Sequence, residues 1–277
     1  MNRFRRNTHK SITPADALLV SGLVFLVLAA AACERRPVKL LWKLEQGKTY
    51  VYKNEVTGTW KIEGWEMGER GGPFGNVLTT EMTVESMNAD SSFHVKEVTK
   101  LMREGAGFAP TVVTYSMASN GKIYSLEIRD TGTAPRAIPV TRERTEKLYE
   151  ETQPTFPDRI LRPGDTWVQE TKVVLEERVI TTTNEFEVKA WEKAGDYMCL
   201  RIDYKGETVV PYERKGLKVV DKGKVKGSMW FSPEEGLLIQ QQDSIYIATT
   251  RVVPEGEKPP STYVVQSSRI YKLVEVK

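Results

Sequence analysis

The chain has 277 residues, 28% of them charged, with 40 lysines and arginines against 37 aspartates and glutamates. Two histidines are too few for a zinc site built on several imidazoles, and a surplus of three positive charges is too small to draw a nucleic-acid partner. Even that surplus is local, because Arg3, Arg5, Arg6 and Lys10 outweigh Asp16 in the first 32 residues and leave 36 basic and 36 acidic side chains after them.

Those four basic residues precede a run of 16 mostly apolar residues, Ala17 to Ala32. A basic start, an apolar middle and a small-residue exit are the parts of a secretory signal peptide, here residues 1–32. The run is short for a membrane span of about 20 residues, although an anchor in a thinned bilayer would accommodate it. It ends Ala29-Ala30-Ala31-Ala32-Cys33, which resembles the lipobox of bacterial lipoproteins, with Ala30 where that motif usually has leucine. The resemblance implies cleavage before Cys33, diacylation of its thiol and acylation of the new amine. Without it, the stretch reads as an ordinary signal peptide with a cysteine at its end. Two or three acyl chains give stable anchoring where one does not. Residues 33–40 are then a short tether, with Arg35 and Arg36 placed to meet anionic headgroups.

From residue 41 onward strand signals dominate. In TYVYKNEVTGTWKIEG, Tyr50, Tyr52, Val56, Trp60 and Ile62 share one parity and mostly polar residues take the other. That alternation predicts one long strand with a single buried face. A glycine-rich loop is expected in MGERGGPFGN, and further strands near 77–87, 92–102, 111–118 and 121–129, with tight turns at 88–91 and 119–122. The stretch 139–154 lacks alternation, is rich in Glu, Arg and Lys and ends at Pro154, which predicts a helix over about 140–152. Strands resume near 165–176, 178–192, 196–209, 216–232, 236–252 and 262–276, and Val253 to Pro260 is a loop.

The two halves share features. GKTYV at 47–51 matches GDTWV at 164–168, and the turn glycines Gly121 and Gly236 follow at similar distances. A duplicated β unit, residues 41–130 and 160–277, is the expectation. Glycine-initiated strands are common enough that chance similarity is the alternative. Sequential amphipathic strands imply a mainly β fold, an antiparallel sheet curved into a half-barrel or barrel. The lipobox, the Gly-x-Thr-aromatic-Val strand starts, RPGDTW and FSPEEGLL together resemble a broad set of bacterial envelope lipoproteins whose β domains are similar to the LolA and LolB lipoprotein carriers. The resemblance covers most of residues 40–277. It implies location in the cell envelope and an apolar concavity able to hold acyl chains.

Catalytic constellations are absent from the pattern. His94 shares its strand parity with Lys96 on an expected exposed face. Gly47-Lys48-Thr49 lacks the earlier glycine of a phosphate loop, since Trp42 stands there, and a strand follows where a helix is required. Cys199 in YMCLRIDY has no base signature beside it. It is expected as a structural strand residue, opposite a face formed by Met198, Leu200, Ile202 and Tyr204. Glu150-Glu151 and Glu234-Glu235 read as solvated pairs. No cofactor or metal is expected, and the chain is expected not to be an enzyme. Six tryptophans are mostly core candidates. Tyr50, Tyr52, Trp60 and Trp167 are the candidate ligand-pocket residues, because they share the apolar parity at the repeat openings. Two roles follow: a membrane-anchored module binding lipid or acyl chains, or an interaction protein that docks another envelope protein without a small ligand.

Overall fold

Strong alternation in nearly every segment produces strands and little else. The computed structural model describes residues 36–64, 70–102, 110–130, 155–175, 178–214, 217–252 and 262–277. These residues hold eleven strands: β1 (Thr49–Glu63), β2 (Arg70–Met87), β3 (Phe93–Leu101), β4 (Thr111–Met117), β5 (Ile123–Asp130), β6 (Thr166–Leu175), β7 (Arg178–Ala194), β8 (Tyr197–Arg214), β9 (Leu217–Ser232), β10 (Leu237–Val252) and β11 (Thr262–Val276). All pair antiparallel in one curved, unclosed sheet, ordered β5-β4-β3-β2-β1-β11-β10-β9-β8-β7-β6. The mainly β, half-barrel-like expectation therefore holds. No helix occurs among the described residues, and the segment expected as helix, 140–152, lies outside them, as does Cys33.

The order makes two meanders joined at the centre. The chain runs outward from β1 to the β5 edge, resumes at the β6 edge and returns inward to β11. The pairing of β1 with β11, Tyr50 opposite Val276 and Glu63 opposite Thr262, holds the halves in one sheet.

The glycine-rich loop is corrected by the structure. Residues 70–76 continue β2 and pair with β1, so that Trp60 lies opposite Gly72 and Gly58 opposite Phe74. A side chain on Gly58 would stand 2.7 Å from the Phe74 ring. Gly58 thus leaves room for the Phe74 ring, whereas a side chain on Gly72 would meet the Trp60 indole only in ordinary contact at 3.8 Å; a ring set against a strand glycine compensates glycine's weakness there.

The same bonds open both halves. The Gly47 N–H donates to Val84 O (2.8 Å) and the Val84 N–H to Lys48 O (3.0 Å). Likewise the Gly164 N–H donates to Val188 O (2.7 Å) and the Val188 N–H to Asp165 O (2.8 Å). Register shifts follow at Val84/Ser86 and at Val188/Ala190. Gly47 and Gly164 have φ of 83° and 94°, and Gly121 and Gly236 also sit at positive φ. Those are left-handed values that only glycine adopts cheaply.

Two extended segments lie at the end of the sheet that carries these turns. Val38 and Leu161 bridge antiparallel. The N–H groups of Trp42 and Phe156 donate to Ser119 O and Asn120 O in the β4–β5 turn, and that of Lys43 to Gly236 O in the β9–β10 turn. Leu40, Phe156 and Leu161 are buried in a core cluster with Leu200, Ile202 and Phe231. A second cluster joins Tyr50, Tyr52, Val84 and Val95 to Leu237, Ile239 and Leu273. Trp42 packs against both and sets its edge on Phe231, 5.5 Å between centroids. Each fully buried large side chain contributes about 1.5–3 kcal/mol.

Candidate functional site

Curvature brings the inward faces of both meanders around one cavity of about 500 Å3. Its walls come from β1–β5 and β7–β11, with Trp42 and Phe156 added by the two end segments. Met82, Met117, Ile123, Met229 and Leu238 are its apolar parts. Methionines fit irregular ligands because their side chains are unbranched and polarizable.

The polar wall is organised by register. Arg269 stands opposite Asp243, Asp243 opposite Gly227, Gly227 opposite Tyr204, Tyr204 opposite Phe186 and Phe186 opposite Trp167. This row crosses six strands on one face. Asp243 Oδ2 accepts from Arg269 Nε (3.0 Å), Arg269 Nη2 (2.6 Å), the Tyr204 hydroxyl (2.8 Å) and Gln241 Nε2 (3.1 Å). The carboxylate is fully buried, while the Arg269 side chain keeps about a third of its surface. Gly227 makes the arrangement possible, since a side chain there would stand 2.7 Å from Asp243 Cβ and 2.9 Å from Tyr204 Cζ. Burial pushes the Tyr204 phenol above the usual tyrosine range, and Asp243 adds to the shift. Burial works against the Arg269 charge, but the hydrogen bonds and charge of Asp243 outweigh it and raise its pKa. A buried charge left without such a partner costs several kcal/mol.

The four aromatic residues chosen by parity take different places. Tyr52 lines the cavity and stacks on Tyr271, centroids 4.6 Å apart and planes within 6°. It is 1% exposed and its hydroxyl has no hydrogen-bond partner. Burial pushes that phenol far up. Tyr50 is buried beside the turn, where its hydroxyl accepts from the Glu45 N–H at 3.0 Å. Trp60 lies toward the far end of β1, against Tyr263. Trp167 stacks on Phe186, 4.8 Å between centroids, and its indole N–H is buried without a partner. Among the cavity residues that parity missed are Asn54, Glu97, Asn184, Gln241 and Arg269. They are polar residues on inward-facing positions, and that mismatch was the signal open to a reader of the sequence.

On the opposite face, two adjoining open grooves of about 1150 and 990 Å3 run across β7–β11, the first reaching β1. They share the row Ser268, Ser244, Lys226, Lys205 and Glu185, successive cross-strand partners. Lys205 pairs with Glu185 at 2.9 Å and Lys224 with Glu207 at 3.0 Å. Such exposed pairs contribute little to stability.

Cys199 and His94 stand apart from the cavity wall. Cys199 is fully buried among Ala194, Leu237 and Ile239. Burial pushes its thiol up to about 12, which suits an inert core residue. Leu200 and Ile202 are fully buried too, so this stretch of β8 is covered on both faces, and Met198 departs from the expected face by standing half exposed. His94 Nε2 lies 3.5 Å from Glu85 on a partly exposed surface. Among the described residues, no group of three or more His, Cys, Asp or Glu is placed to hold a metal ion. No helix among them is long and apolar enough to cross a membrane, which says nothing of strands.

No family model matches the chain, and no curated protein matches it. Among solved structures, an outer membrane channel from Pseudomonas putida F1 is similar at a TM-score of 0.27 and 8% identity, over 84% of this chain and 98% of that chain.

Proposed function

We propose that the chain is an exported envelope lipoprotein, anchored through Cys33, whose β domain binds a small lipid-like ligand without catalysing a reaction. The observation that carries this reading is the interior cavity. Its volume of about 500 Å3 falls within the usual range for small-molecule sites, roughly 300–1,000 Å3. Its walls combine methionine and aromatic surface with a few polar groups, the composition of such sites. The anchor rests on the leader and the alanines before Cys33. Residues Pro37–Lys277 form a compact unit by themselves, so the test uses residues 38–277, purified gently from bacterial cells and examined by native mass spectrometry. Discrete added masses of lipid size that vanish on denaturation are expected. A bare protein mass that persists after incubation with envelope lipids would sink the binding role. Metabolic labelling with a tagged fatty acid, lost in Cys33→Ser, checks the anchor separately.

A second reading, an interaction protein docking another envelope component, draws on the broad polar grooves of the outward face. Charge reversal at Lys205 and Lys226 that abolishes a cross-link to an envelope protein, in a domain whose mass spectrum stays bare, would favour it.

A further inference from the structure

The polar groups of the cavity specify the head of the ligand, given the binding role proposed above. Tyr52 and Asn54 are two residues apart on β1, on the same face, and both line the cavity. That spacing sets them about 6.6 Å apart along the strand. The Tyr52 hydroxyl and Asn54 Oδ1 are both buried, and neither has a hydrogen-bond partner. Leaving such groups unsatisfied is costly, and a bound ligand that pairs them recovers that cost. They are a phenolic donor and an amide acceptor among the lining residues, both without a partner in the protein. Among the described lining residues the one cation, Arg269, is already bridged to Asp243 through Nε and Nη2. Among these described residues a carboxylate head would therefore find no cation free to receive it, and it would share the wall with Glu97. Beyond the head, Met82, Met117 and Met229 supply adaptable apolar surface.

We propose that the cavity takes an uncharged amphipath, an alkyl or acyl chain ending in an amide or hydroxyl group, with its head on Tyr52 and Asn54 and its chain among the methionines. An amide or alcohol both donates and accepts, which matches the two side chains.

The test uses the full chain in lipid nanodiscs and four photoreactive twelve-carbon probes, bearing an amide, a hydroxyl, a carboxylate or no head group. Labelling of cavity residues is mapped by mass spectrometry at equal probe content in the bilayer. The amide and hydroxyl probes are expected to label at least fivefold more than the carboxylate. Tyr52→Phe should reduce amide labelling about fivefold, the loss of one hydrogen bond, and leave headless labelling unchanged. Asn54→Ala should behave alike and serves if Tyr52→Phe does not fold. Equal labelling by all four heads, a preference for carboxylate, or no effect of either substitution overturns the head assignment while the cavity reading stands. Failure of every probe, the headless one included, to label cavity residues overturns the cavity reading and this inference with it.

Discussion

Burial governs the state of ionisable groups in the described interior, Cys199, Tyr52 and Tyr204 among them. Cys199, Tyr52 and Tyr204 are 0%, 1% and 8% exposed, and for each burial is the largest cause of an upward shift. A raised acidic pKa means that the folded state holds its proton after the unfolded chain has released it. Stability is then constant below the unfolded value and falls as pH rises through it, up to the folded value. For Cys199 that window runs from about 8.5 to about 12. The tyrosines join above about pH 10. The domain is expected to lose up to about 1.4 kcal/mol per pH unit while a single such group titrates. Urea midpoints at pH 7.5, 9 and 10 check this, and Cys199→Ala should flatten the portion between 8.5 and 10. A midpoint that holds level across that range would contradict the assignment.

Individual strands depend on how they start. β1 and β6 each follow a glycine at positive φ whose N–H is bonded to the neighbouring strand. A side chain on Gly47 or Gly164 would meet no atom within 4 Å, so substitution costs only the backbone strain, about 1–2 kcal/mol. Gly47→Ala and Gly164→Ala are each expected to lower the unfolding free energy by that amount, with an unchanged denaturant slope. In combination they should add, because the two turns share no partner in these bonds. Chemical denaturation of the two single variants and the double variant measures this. A much larger loss at either position would mean that its turn does more than set the strand's entry. The strand glycines Gly58 and Gly227 follow a different logic, since a side chain there would stand 2.7 Å from the Phe74 ring and 2.9 Å from the Tyr204 ring. In those places what matters is room for a ring, and φ is secondary.

The architecture as a unit hangs on one long-range pairing. β11 lies between β1 and β10, and it joins the meander that starts at residue 49 to the one that ends at 276. It also carries Arg269 and Tyr271, which face Asp243 and Tyr52. Removing residues 262–277 would expose the edges of β1 and β10 and leave Asp243 buried without its cation. Loss of one partner from a buried pair costs about 3–5 kcal/mol, and unpaired edges invite aggregation. The truncated chain is expected to lose its cooperative unfolding transition in circular dichroism and to aggregate. A soluble truncated form with a sharp transition would show that the halves fold independently. The open edges of the sheet, β5 and β6, are consecutive in the chain, and residues 131–154 of their connection lie outside the described residues.

Much of this was legible before any fold was known, because a period of two is a local property. Alternation in TYVYKNEVTGTWKIE located β1, and similar runs located the other strands to within a few residues, β2 and β8 excepted. Residues 70–76 were missed because glycine and proline depress strand propensity, whereas here Gly72 lies opposite Trp60 and Phe74 opposite Gly58. Parity also assigns a face, but it does not say how far along a strand a side chain lies from the cavity. Tyr50, Tyr52 and Trp60 share a face of β1, yet Tyr52 alone of these lines the cavity. The Asp243–Arg269–Tyr204 cluster and the Tyr52–Asn54 wall exist because register aligns β11, β10, β9 and β8 and because curvature turns both meanders inward. Register between strands far apart in sequence depends on long-range pairing and packing, and no short window of the chain contains it.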